Sequence, residues 1–214
     1  MLFSSKEKID QLSWLNKRKR ISSIPRLKVQ KFLYFYEMFQ KISGNDYNID
    51  NLKAYVNGPV FSQVYGDINY REQEVYNEID SIENPEIDEN NAERALFIID
   101  SMGEKELSNL THIFDMWNSK KERIDAGEVQ IPIIESDITE KDIALFNQII
   151  PEYPIKNPGY HVIVMNNKRF VTSDEDYKRL SEVHYNTLEK LSNEDNLFNP
   201  IYISIEEDGG LLVD

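Results

Sequence analysis

Apolar residues recur every three or four positions through residues 25–42, PRLKVQKFLYFYEMFQKI, where Val29, Phe32, Leu33, Tyr36 and Phe39 fall along one helical stripe. Pro25 suits the first helical turn, and Gly44-Asn45 supplies a stop. The spacing predicts a helix with one face in a core. A shorter helix is expected over residues 9–15, separated from it by the basic stretch Lys17-Arg18-Lys19-Arg20. In residues 48–70, Asn57-Gly58-Pro59 reads as a turn. Pro59, lacking an N–H, is then expected to open a helix with Val60, Phe61, Val64 and Tyr65 on one face.

Residues 81–91, SIENPEIDENN, form a polar acidic linker. Helices are expected over 89–102, closed by Gly103, and over 105–123, with a bend near Phe114. GEVQIPII reads as an extended connector, and Asp137 with Glu140 has the form of a capping box before a helix running to residue 150. Three prolines and a glycine in PEYPIKNPG, residues 151–159, mark a boundary. Beyond it the pattern changes. HVIVM and RFVT flank Asn166-Asn167 as a hairpin, Ser173 caps a helix over 174–191, and IYISI and LLV flank Glu207-Asp208-Gly209-Gly210 as a second hairpin. The expectation is an α+β protein. A mainly helical domain covers 1–150, a Pro-rich connector 151–159, and a hairpin/helix/hairpin elaboration 160–214, with one small antiparallel sheet under a helix. About 55 residues make a marginal core, so packing onto the helical part is an alternative to independent folding.

Composition narrows the classes. At 40% hydrophobic and 11% aromatic the chain is globular, and it contains no cysteine, which removes disulfides, thiolate nucleophiles and Cys-based zinc sites. Charges interrupt the N-terminal apolar residues, and no apolar run approaches the ~20 residues that span a bilayer, so a soluble cytoplasmic protein without a membrane partner is expected. Charge is uneven. Residues 1–50 carry ten basic and five acidic residues, and the remainder fourteen and thirty-three, or −19. Nucleic-acid binding draws its affinity from neutralised phosphates, so this acidic body disfavours it. The 17–20 basic cluster is the sole feature in its favour, and no helix-turn-helix precedes residue 25.

Three stretches, in order, resemble one family. RLKVQKFLYF, with Lys28, Val29, Lys31, Phe32, Leu33, Tyr34 and Phe35, resembles the opening helix of the Panacea (SocA-like or GepA-like) antitoxin domain. KAYVNGPVFSQVY is similar to that family's Gly-Pro-Val signature through Tyr55, Gly58, Pro59, Val60, Phe61, Val64 and Tyr65. ELSNLTHIFDMW resembles its Leu-Ser-x-x-Thr-His and following Trp through Leu107, Ser108, Thr111, His112 and Trp117. The departures are Val29 and Phe32 in place of Leu, and Asp115 in a stretch where the family commonly has Pro immediately before the Trp. The resemblance covers roughly residues 25–145 and says nothing of the C-terminal part. It implies a mostly helical domain that neutralises a cognate toxin by direct protein-protein binding, in bacteria or prophages, without catalysis or cofactor. An adaptor for a host protease, or a phage factor binding another host protein, is the alternative.

The site residues carry two readings each. Lys31, Tyr34, Phe35, Phe61 and Tyr65 are candidate partner contacts, aromatics being favoured at interfaces. Alternatively the aromatics belong to a helix buried on both faces, and Lys31 snorkels to solvent. Gly58, Pro59 and Val60 read as architecture, as do Thr111, His112 and Trp117, with His112 a natural neighbour for the indole N–H. No catalytic or metal site is expected; the third reading, an uncharacterised enzyme, would need a pocket with converging carboxylates and His112 or His184. The chain has three histidines, His112 and Asp115 form a lone i, i+3 pair, and phosphate-loop, Gly-x-Ser-x-Gly and His-Glu-x-x-His patterns are absent. The acidic body suggests one further expectation, that the protein mimics the polyanionic substrate of a toxin acting on nucleotides or tRNA.

Overall fold

A computed structural model describes all 214 residues, and the chain is α+β. It divides into two compact units: Met1–Leu96 with Glu104–Ile150, and Phe97–Gly103 with Pro151–Asp214. The expected first domain is therefore interrupted, because seven residues inside 1–150 belong to the second unit. No helix is long and apolar enough to cross a membrane.

The first unit opens with α1, Lys6–Arg18, capped by the Ser5 side chain and ending in Lys17 and Arg18, where cations complement the helix dipole. Arg18 pairs with Glu93 at 2.9 Å, and Lys17 donates to the Glu83 carbonyl, so these two members of the basic cluster make contacts within the chain. Next comes α2, Arg26–Ile42, with Pro25 as its N-cap residue. Every residue from Val29 to Gln40 is buried, so α2 is enclosed on all sides instead of along one stripe.

The segment after α2 departs from expectation. Strands β1, Leu52–Tyr55, and β2, Gly58–Phe61, form an antiparallel hairpin with Tyr55 opposite Gly58 and Leu52 opposite Phe61. Pro59 lies in a strand and opens no helix. Strand β2 is at an edge of its sheet, where a missing N–H breaks no ladder. Helix α3, Ser62–Tyr70, starts three residues later, followed by α4, Glu72–Ser81, which was not among the expected elements. Then come α5, Glu89–Ser101, and α6, Glu104–His112.

The expected helix over 105–123 is three helices: α6, then α7, Asp115–Asn118, and α8, Lys121–Asp125. The break at Phe114 has an identifiable cause. The Asp142 carboxylate accepts hydrogen bonds from the Asp115 and Met116 N–H groups, at 2.6 and 3.1 Å, and so caps α7. Phe114 is left extended and stacks on Phe146 with ring centroids 4.0 Å apart. Strand β3, Ile131–Pro132, completes a sheet of order β2-β1-β3. Helix α9, Glu140–Ile149, is capped by a Thr139–Asp142 box, and not by the expected Asp137–Glu140 pair.

In the second unit, 151–159 is more than a connector. It contains α10, Tyr153–Lys156, whose Tyr153 ring lies 5.6 Å from Phe97 and 5.0 Å from Tyr202. Strands β4, His161–Met165, and β5, Lys168–Thr172, form the expected hairpin. The helix expected over 174–191 is split at Leu180-Ser181 into α11, Asp174–Arg179, and α12, Glu182–Leu191. The His184 ring accepts from the Ser181 N–H at 3.2 Å and caps the second piece. Strands β6, Ile201–Ile205, and β7, Leu211–Val213, follow. The sheet is mixed and not antiparallel: its order is β4-β5-β6-β7, and β5 and β6 run parallel because α11 and α12 carry the chain across. Phe170, Leu188, Ile201 and Ile203 form its buried core.

Candidate functional site

The centre of α2 carries an amine into the core. Lys31 is fully buried, and the acceptor the chain offers its Nζ is the Pro59 carbonyl at 3.5 Å. It does not snorkel. Burial without a carboxylate partner pulls its pKa down to about 7. Gly58 makes this placement possible. A Cβ there would sit 2.2 Å from Lys31 Nζ and 2.3 Å from Thr111 Oγ1, and its φ of +100° already disfavours any other residue.

The third stretch closes the cluster. Thr111 Oγ1 donates to the Ser108 carbonyl at 3.0 Å, and Ser108 Oγ donates to the Asn57 carbonyl at 3.3 Å. The indole N–H of Trp117 donates to the Tyr55 carbonyl at 2.8 Å, so its partner is the hairpin backbone and not His112. His112 stacks on Trp117 instead, with centroids 3.6 Å apart and planes at 10°. Burial and then the Lys31 charge push its pKa down, and its buried Nε2 has no hydrogen-bond partner. Gln30 Oε1 accepts from the Phe61 N–H at 2.9 Å and fixes β2 to α2. Lys31, Gly58, Pro59, Thr111, His112 and Trp117, from three separated stretches, thus meet in one polar knot.

Most candidate partner contacts lie inside. Tyr34, Phe35 and Phe61 are buried, as is Lys31. The Tyr34 hydroxyl donates to Met116 Sδ at 3.4 Å, and its ring contacts Phe35, Phe114 and Phe146. The partner-anchor reading of these four residues is therefore corrected to core: α2, which carries three of them, has neighbours on every side, and Phe61 on β2 is held against α2 through Gln30. Tyr65 differs, being 41% exposed. Val60 is half-buried beside it.

A cavity of about 230 Å³ opens beside the knot, lined by Leu27, Lys31, Tyr55, Val60 and Tyr65 among others. Val56 and Val129 also line it and are 65% and 68% exposed. Neither was singled out from sequence, because an isolated valine in a turn or connector carries no signal of its own. Arg26 and Glu128 are its other charged lining residues, and the Arg123 guanidinium pairs with Glu128.

The three histidines have different partners. Asp115 turns to Lys141 at 2.8 Å and Thr139 at 3.1 Å, so the i, i+3 pair with His112 is not formed. His161 pairs with Asp174 at 3.0 Å and stacks on Tyr177, while His184 Nε2 lies 3.0 Å from the Gly209 carbonyl oxygen. No group of three or more His, Asp or Glu side chains is placed to hold a metal. Compared with known proteins, the chain matches no family model, no curated sequence and no solved structure.

Proposed function

We propose that this protein neutralises a cognate toxin in the cytoplasm by stoichiometric protein-protein binding, as its resemblance to Panacea antitoxins implies. The observation that supports this most is the apolar surface beside the knot. Val56, Tyr65 and Val129 are exposed together around one cavity, and grouped exposed apolar residues mark interaction sites where scattered ones do not. The buried knot beneath it joins residues of all three stretches that carry the resemblance, which gives the surface a rigid base. The acidic body adds a second contact with a basic toxin face, read out as salt sensitivity of the complex.

The test is to express the neighbouring reading frame from an inducible promoter, with and without this protein. Growth arrest relieved by co-expression, with the two proteins co-purifying, is the expected result. Val56→Asp together with Tyr65→Asp should abolish the relief while leaving the fold intact. A harmless neighbour, or arrest unaffected by this protein, would overturn the reading.

A further inference from the structure

The Lys31 cavity has chemistry that toxin neutralisation does not require. Its lining is mostly apolar, yet it includes Lys31, to whose buried amine the chain offers one distant acceptor. An ammonium has three donors, and buried donors are ordinarily satisfied. The neighbouring carboxylate is not available to it, because Glu128 is paired with Arg123. Arg26 is likewise engaged, with Glu72 and Asn69, so Lys31 is the charged lining residue left to answer a ligand. Size sets the other limit. An apolar cavity of about 150 Å³ holds a benzene ring, so about 230 Å³ accommodates one ring or branched chain plus a small polar group.

We propose that this cavity binds a carboxylate carried on one compact apolar body, with the apolar part against Leu27, Val60 and Tyr65 and the carboxylate oxygens accepting from Lys31 Nζ. Such a ligand supplies the acceptors that the amine lacks. Two sources share this chemistry: a small free carboxylic acid, and the C-terminal residue of a peptide ending in an apolar side chain. The assignment does not depend on toxin binding, and its test uses no toxin.

The test is to titrate the isotopically labelled full-length protein with 4-methylpentanoate and 3-phenylpropionate, and with their amides, by NMR. A parallel arm uses short peptides ending in leucine, with free or amidated C-termini. The expected result is saturable shifts at Leu27, Val60 and Tyr65 with the acids, and at least about tenfold weaker binding of the amides, as for a lost hydrogen bond to a charged group. Lys31→Met should erase that discrimination. If the free-acid peptide binds more tightly than the small acids, the source is a chain terminus; the reverse order assigns a small molecule. Equal binding of acids and amides, or no saturable shift with any acid at millimolar concentration, would overturn the proposal. Should Lys31→Met fail to fold, the acid-amide comparison on the unaltered protein decides the matter alone.

Discussion

Two lysines are buried in the first unit, and they are solved differently. Lys8, on α1, forms an ion pair with Glu37 of α2 and donates to the Asn48 carbonyl at 3.0 Å. Glu37 is itself fully engaged, accepting from Gln11 Nε2 at 2.6 Å and the Asn48 N–H at 2.7 Å. Lys31, less than two turns earlier on α2 than Glu37, meets one carbonyl at 3.5 Å and no carboxylate. Burial lowers both pKa values, but Glu37 opposes the effect at Lys8, and nothing opposes it at Lys31. A satisfied buried charge ties elements together. An unsatisfied one costs stability, and that cost needs a reason outside the fold.

The largest expected effect comes from breaking the satisfied member. Glu37→Gln leaves Lys8 buried beside a neutral amide and should cost about 3–5 kcal/mol, read from urea unfolding. Gly58→Ala attacks the other member through its neighbour. The new Cβ collides with Lys31 Nζ and Thr111 Oγ1 at a positive φ, and about 2–4 kcal/mol should be lost. Lys31→Met should move stability the opposite way, with a gain of about 1–3 kcal/mol at pH 7. A loss as large as that of Glu37→Gln would show that the two lysines are not different after all.

Titration sharpens the contrast. With its folded pKa lowered to about 7 from 10.5, Lys31 binds its proton more tightly in the unfolded chain. The native state is therefore penalised fully below pH 7, and the penalty fades as pH rises toward 10.5, on the order of 1 kcal/mol per pH unit. Unfolding curves between pH 7 and 9 should show the advantage of Lys31→Met shrinking steadily; an advantage independent of pH would contradict the assigned shift. The smallest effect is expected from Trp117→Phe. It strips the Tyr55 carbonyl of its donor and should cost about 1–2 kcal/mol, with the His112 stacking partner still aromatic.

How legible was this in the sequence? The α2 periodicity was plain, since Val29, Phe32, Leu33, Tyr36 and Phe39 are all buried. What it could not tell was that Tyr34 and Phe35 are buried too; the Phe114 and Phe146 rings against Tyr34 come from distant segments. Gly58-Pro59 lies at a chain reversal, as its chemistry implies, but Pro59 continues a strand instead of opening a helix. The loop residues are Val56 and Asn57, and Gly58 begins the returning strand. Strand pairing across α11 and α12 was hidden for another reason: a hairpin fixes its own register locally, whereas a crossover leaves the partner open. The meeting of Lys31, Gly58 and Thr111 was visible only as three unconnected patterns. A glycine required by a lysine's far end leaves no mark on local spacing.

The seven residues Phe97–Gly103 have a practical consequence for anyone who would cut this chain. Phe97 packs its ring against Tyr153, Tyr160 and Tyr202, all in the second unit. Its backbone, however, is laid down in α5, more than fifty residues before the prolines that look like a hinge in the gene. A truncation at residue 150 would strand an aromatic without its neighbours, and a fragment from 151 onward would lack the ring at the centre of its cluster. The cassette boundary suggested by the sequence is thus not a modular joint. Grafting this C-terminal part onto another protein would require carrying the end of α5 with it.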